Sequence, residues 1–464
     1  MARGKKKETL TSEERLQAAL VPEGEQPYPV RGNWCWVYLQ TLCEIPITDG
    51  THKTPKYSDK ENGIPFISAK DVTKGYIDWS NVKYITKELH EELYQRLAPQ
   101  IDDILLAKNG TTGVAAIVVD NYIFDLYVTL AVLRPNKKLI SPRYLYYLVN
   151  SPVAKIQFDT HLTGIGVPNL HLRDIKITSL PLPPLQEQQR IVDRIESLFA
   201  KLDEAKQKTQ DALDSFETRK VAILHKAFTG ELTARWRKEH GVGMESWKAL
   251  TLDDIAEYKK GPFGSSITKA MFVPKGNHTY KVYEQGNAIR KTVDYGHYYI
   301  TEQKYLELKN FAVKSDDIII SCAGTIGEVF KLPKDCEPGI INQALMRVRI
   351  FSNIKEQYFI YYFGEILKGD VIDKANGTVI KNIPPFKIMK AMKIELPSLP
   401  EQTEIVRILD NLLTKEQQAK EAAEAVLEQI DLIKKSILVR AFRGELGTND
   451  PNEESAVELL KQIL

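Results

Sequence analysis

Residues 182–192 read LPPLQEQQRIV, and residues 396–406 read LPSLPEQTEIV. Seven of the eleven positions are identical, at an offset of 214 residues. The same offset relates AFTGEL at Ala227–Leu232 to AFRGEL at Ala441–Leu446, and DDILLAKNGTTG at Asp102–Gly113 to DDIIISCAGTIG at Asp316–Gly327. Three matches at one offset mark a tandem duplication, and each half is read as one copy of a common unit.

Working outward from the repeat, each copy opens a helix. After Pro183 and Pro184, apolar residues recur at Ile191, Ile195, Leu198 and Leu202, then run through Ala205, Thr209 and Ala212 to Phe216. The second copy gives Ile405, Leu409, Leu412, Ala419, Ala423, Val426 and Ile430, with Glu416 as a polar interruption. Steps of four and three predict a heptad seam, and neither run contains Gly or Pro. Each is expected to form about 40 residues of helix, about 60 Å at 1.5 Å per residue. A helix that long with one narrow apolar stripe needs a partner, and its own duplicate, running antiparallel, supplies one.

The segments around residues 25–180 and 240–395 read as α+β globules, with short β-rich runs such as ILLAKN and IIISCA between Gly, Pro, Asn and Asp turns. The expected divisions are 1–24, a basic tail with a short helix; 25–183, a first globule; 184–232, a first long helix; 233–396, a second globule; 397–446, a second long helix; and 447–464, a tail with a short helix. The fold class is α+β with an internal pseudo-two-fold repeat.

At 464 residues the chain is too long for one ordinary core. Its 43% hydrophobic and 27% charged content is that of a soluble globular protein, and no apolar run approaches the roughly 20 residues that cross a bilayer. The basic start MARGKKKE is followed by no hydrophobic segment, so it is not read as a secretory signal. Four cysteines at irregular spacing are expected to be reduced thiols of a cytoplasmic protein. A net charge of +2 neither demands nor forbids nucleic acid.

Motifs of catalysis are sparse. IPPF at Ile383–Phe386 resembles the Asn/Asp-Pro-Pro-Tyr/Phe loop of adenine methyltransferases, but Ile383 stands at the polar position and Asn382 is one residue early. There is no phosphate-binding G-x-x-x-x-G-K-[ST] loop and no H-E-x-x-H metal pair. The GTxG segments follow a strand in both halves. They read either as backbone that approaches a phosphate closely or as hairpin turns needing positive φ.

Candidate nucleic-acid contacts lie in loops where basic and polar residues mix. THKTPKYSDK contributes Lys53, Thr54 and Lys56, and IPFISAKDV contributes Lys70; the first GTxG region adds Lys108, Asn109, Thr111 and Thr112. In the second half YKKGPFGSSITK gives Lys259, Lys260, Ser265 and Ser266, GNAIRK gives Arg290 and Lys291, and the second GTxG gives Thr325.

Two variable globules, each followed by a (L)PPLxEQxxIV helix and an AFxGEL exit, resemble the specificity subunit of type I restriction–modification systems. The openings NWCWVYL at Asn33–Leu39 and SWKAL at Ser246–Leu250 also look like the family's target-recognition domains. The resemblance spans roughly residues 25–446. It implies a non-catalytic double-stranded DNA reader, each globule reading half of a split asymmetric site and the paired helices acting as a ruler. It further implies two methyltransferase and two restriction–translocase subunits as partners, with S-adenosylmethionine, ATP and Mg²⁺ bound by those partners and none by this chain. Two other readings remain: a self-contained DNA methyltransferase or nuclease, and a coiled-coil scaffold that touches only proteins.

Overall fold

The computed structural model describes residues 11–163, 168–367 and 385–464. The basic start of the chain, and Asn382, Ile383 and Pro384 of the IPPF stretch, lie outside them. The chain divides into two units: Met1–Thr209 with Ala425–Leu464, and Gln210–Glu424. Both expected long helices are present, at Leu185–Phe228 and Leu399–Phe442, each 44 residues. The first begins directly after Pro183–Pro184. The second carries Pro400 in its first turn, where a missing N–H costs no helical bond.

In the first unit, strands 48–49, 130–133, 104–107 and 115–117 form an antiparallel sheet in that order. A second sheet runs 57–58, 83–85, 64–67, 125–126, with Ile64–Ile67 parallel to Asp125–Leu126. Cys35–Tyr38 pairs antiparallel with Ser179–Leu182, which places the globule's opening beside the entry to the first long helix. Ile191 and Ile195 are fully buried in the same core as Val37, Ile104 and Leu106, each worth roughly 1.5–3 kcal/mol. Leu438, Ala441 and Phe442 of the second long helix join that core. Further along, Lys206 meets Asp431 at 3.2 Å, and Lys434 meets Asp203.

The second unit repeats the plan. Its antiparallel sheet runs 256–260, 345–350, 318–321, 329–331, and its other sheet 299–301, 279–283, 339–341, 312–313. Thr279–Tyr283 is parallel to Gly339–Ile341, matching the parallel pairing of Ile64–Ile67 with Asp125–Leu126 in the first unit. Lys248–Thr251 pairs with Lys393–Leu396 as Cys35–Tyr38 does with Ser179–Leu182. Leu224 and Ala227 of the first long helix share a core with Ile405 and Leu409 of the second, and Arg219 pairs with Glu416 at 3.0 Å.

The repeated Glu-Gln of LPPLQEQ and LPSLPEQ is fully buried in both copies. Gln188 donates to the carbonyls of Leu139 and Pro183 and accepts from Ser141 N–H; Gln402 does the same with Asn353, Pro397 and Lys355. Glu187 accepts from Trp34 at 2.7 Å, Asn449 at 2.8 Å and Thr448 at 3.2 Å. Glu401 accepts from Trp247 at 3.0 Å, Thr233 at 2.7 Å and Arg237 at 2.6 Å. In each unit, therefore, the carboxylate at the start of one long helix is held by the segment that follows the AFxGEL exit of the other. Buried polar groups need such partners, which accounts for the repeated Glu-Gln at the start of both helices.

The seam needs correction in the second helix. Leu198, Leu202 and Leu412 are half-buried as expected, but Val426 is 41% exposed. The inward positions after Glu416 are Lys420, Ala423, Leu427 and Ile430, so Leu427 replaces Val426 and Lys420 replaces Ala419. Between Ile405 and Ala441 they advance on average by about 3.6 residues per step, the pitch of a straight helix, and a strict 3.5 repeat drifts off them. Ala205 and Ala212 of the first helix are also exposed.

Candidate nucleic-acid interface

The DDI…GTxG block is a hairpin in each unit. Asp102 and Asp316 take left-handed backbone, φ 74° and 66°, a conformation Asp tolerates better than most residues. Asp103 and Asp317 behind them are buried and take a forked guanidinium, Arg134 at 2.7–2.8 Å and Arg349 at 2.7–2.8 Å. These bonds raise both arginine pKa values above the usual range. Gly110, Gly113, Gly324 and Gly327 have φ between 64° and 80°, and Gly113 N–H and Gly327 N–H close the hairpins on Ala107 and Ser321. The glycines are thus explained by the turn. Thr111 and Thr325 stand exposed at the two tips, whereas Thr112 is buried.

Three of the first globule's candidates face inward or are otherwise engaged. Lys108 is buried, its ammonium 3.1 Å from the buried Asp49 carboxylate. Its counterpart at the same offset is buried Cys322, so this is a core position. Asn109 donates to Asn169 at 2.9 Å and ties the hairpin to the next loop. The buried Lys108 and Thr112 therefore leave the candidate DNA face, while Asn109 is half-buried. Lys53, Thr54, Lys56 and Lys70 are exposed; Lys53 pairs with Glu92, and Lys70 lies 3.7 Å from Asp71. Beside them Lys83 sits 4.4 Å from the exposed Tyr57 ring centre, a basic–aromatic pair not anticipated as a contact.

In the second globule, Lys260 and Ser265 are exposed, and Lys259 and Ser266 half-buried, along one strand end and turn. Lys259 lies 5.2 Å from the Phe311 ring centre. Arg290 is exposed and stacks 4.8 Å over Tyr295 in a cleft of about 650 Å³ that Glu284 and Asp294 also line. Those carboxylates oppose a phosphate there. Lys291 ends a short helix in left-handed conformation, φ 51°, and its ammonium is bound by Glu328 at 3.1 Å and the Val329 carbonyl at 2.5 Å. Its charge is held by the hairpin, while the side chain stays 48% exposed.

Among the described residues, no group of three or more His, Cys, Asp or Glu is placed to hold a metal ion, and no helix is long and apolar enough to cross a membrane. Burial pushes the Cys35, Cys43 and Cys322 thiols up to about 12.

A family model described as the type I restriction modification DNA specificity domain matches residues 32–214 and again 244–429. The EcoKI specificity subunit of Escherichia coli is 22% identical over 427 residues, covering 87% of this chain and 89% of that protein. The EcoBI specificity subunit of Escherichia coli is 31% identical over 216 residues, 46% of this chain; that match spans 45% of the relative. The crystal structure of the HsdS subunit from Thermoanaerobacter tengcongensis superposes with a TM-score of 0.59 at 21% identity, covering 91% of this chain and all of that one.

Proposed function

The chain belongs to the type I restriction modification DNA specificity family, and we propose that it is the non-catalytic reader of a two-part, asymmetric DNA sequence. Each globule reads one half. The two long helices pair antiparallel as a coiled coil that sets the distance between the halves. Interhelical ion pairs such as Lys206–Asp431 and Arg219–Glu416 support this pairing, although exposed pairs contribute little stability. Two methyltransferase subunits dock on the scaffold and two restriction–translocase subunits complete it, in the cytoplasm. S-adenosylmethionine, ATP and Mg²⁺ belong to those partners.

The observation that carries this reading is the coincidence of two family matches with two globules of one sheet plan and different exposed loops. A shared frame with unlike loops suits two readers of different sequences. The test is an electrophoretic shift with the chain and its methyltransferase partner on sequence-scanned duplexes, alongside equilibrium dialysis of S-adenosylmethionine against the chain alone. A sequence-dependent shift without cofactor retention is expected. Cofactor retained by the chain alone would favour a self-contained methyltransferase instead, and partner binding without any DNA shift would favour the protein-only scaffold.

A further inference from the structure

We infer that the loop Gly261–Ser266 of the second globule is its base-contacting edge, with Phe263 stacking on DNA bases and Lys260 and Gln343 beside it. The inference rests on the reading of the chain as a DNA reader and assigns residues to half of that task.

Phe263 is 87% exposed, more than any other large apolar side chain among the described residues. A bare ring alone decides nothing, since single exposed apolar residues are common. The backbone beneath it is what decides. Gly261 is pressed against the carbonyl of Asn342, where a Cβ would stand 1.8 Å from the oxygen. Gly261 N–H donates to Leu345, Pro262 is buried, and Ser266 N–H closes the turn on Phe263. The loop is thus anchored at Gly261, closed internally by the Phe263–Ser266 turn and followed by the buried Ile267, so the ring stands on a fixed support.

The groove beside it has a volume of about 520 Å³ and is lined by Tyr258, Lys259, Lys260, Phe311, Gln343 and Phe386 along with the loop itself. No carboxylate is among the described residues that line it. Gln343 and Lys260 are exposed. An aromatic ring for stacking, a carboxamide able to pair with the N6 and N7 edge of adenine, and an ammonium for phosphate are the three elements of nucleic-acid contact.

The first globule supplies an independent comparison. Gly50 follows the corresponding edge strand, and a Cβ there would meet the Leu126 carbonyl at 2.1 Å. The residues after this equivalent hinge are Thr51, His52 and Lys53, with His52 and Lys53 exposed. One anchoring device therefore carries different side chains in the two globules, as readers of unlike half-sites require.

The test uses the full chain assembled with its methyltransferase partner, on duplexes carrying the site mapped by methylation. Phe263→Ala should weaken specific binding by about 5- to 100-fold, Phe263→Trp should restore it, and melting and partner assembly should stay unchanged. Gln343→Ala should relax one base of the second half-site and none of the first. If the parent discriminates sequence while Phe263→Ala binds with equal affinity, the loop is not the edge that reads, and the DNA-reader function stands. Lost partner assembly would make Phe263 a protein contact and overturn the inference. A parent complex without sequence preference would overturn the underlying reading and the inference together.

Discussion

The Arg237 guanidinium donates to the Glu401 carboxylate at 2.6 Å, and both side chains are buried. Arg237 follows the end of the first long helix and Glu401 opens the second, so one ion pair fixes an exit to an entry. Removing one partner strands the other charge, which typically costs about 3–5 kcal/mol. Glu401→Ala should lower the unfolding free energy of the second unit by that order. Glu401→Ala with Arg237→Ala should cost clearly less than the two single changes added. A double-mutant cycle that came out additive would remove this pair from the interlock.

Thiol chemistry gives a second expectation. With buried thiols pushed up to about 12, Cys35 and Cys322 should label with a thiol reagent at neutral pH only when the chain opens, while the half-buried Cys43 and Cys336 should label earlier. The sign is fixed by linkage. Unfolded thiols ionise near 8.5 and folded ones only near 12, so stability present below about pH 8.5 is lost as pH rises between those values. Labelling of all four at one rapid rate would contradict this burial.

Salt dependence separates solvent-facing lysines from built-in ones. Lys56→Ala or Lys260→Ala should leave folding unchanged and shallow the salt dependence of DNA binding by the assembled complex, by about 0.9 in log–log slope per lost phosphate contact. Lys108→Ala should instead destabilise the first globule, because the Asp49 carboxylate loses its buried partner. Lys291→Ala should likewise act on the Glu328 hairpin before it acts on DNA. Binding slopes that respond to Lys108 but not to Lys56 would reverse this placement.

Much of the frame was legible in the sequence. The two proline-led repeats located both helices because a helix start is written locally, in Pro183–Pro184 and in Pro400. The sheet-rich globules were legible from alternation and turn residues. What local pattern could not show was where side chains end up after distant segments meet. Lys108 looked like a loop cation because its partner Asp49 comes from another strand, and Lys291 because Glu328 lies in the facing hairpin. Glu187 and Glu401 were visible as repetition, yet their role depends on Trp34, Asn449, Trp247 and Arg237, all remote in sequence. Val426 fell off the seam because a 3.5 repeat and a 3.6 helix have already parted company about six turns after Ile405.

The proposed ruler is tested by lengthening it. Inserting one heptad into each long helix adds about 10 Å at 1.5 Å per residue, or about three base-pair steps. Methylation mapping should then show a longer spacer between unchanged half-sites. Altered half-sites with an unchanged spacer would count against helices that set the distance.

The most direct measurement of the central claim is genome-wide methylation mapping with the chain and its methyltransferase partner, repeated with residues 244–396 of the second globule exchanged for those of a relative. The expected parent result is two short fixed sequences separated by a fixed, sequence-independent spacer. The exchanged chain should keep the first sequence and change only the second. A single contiguous site, or an exchange that altered both halves at once, would contradict two independent readers on one duplicated scaffold.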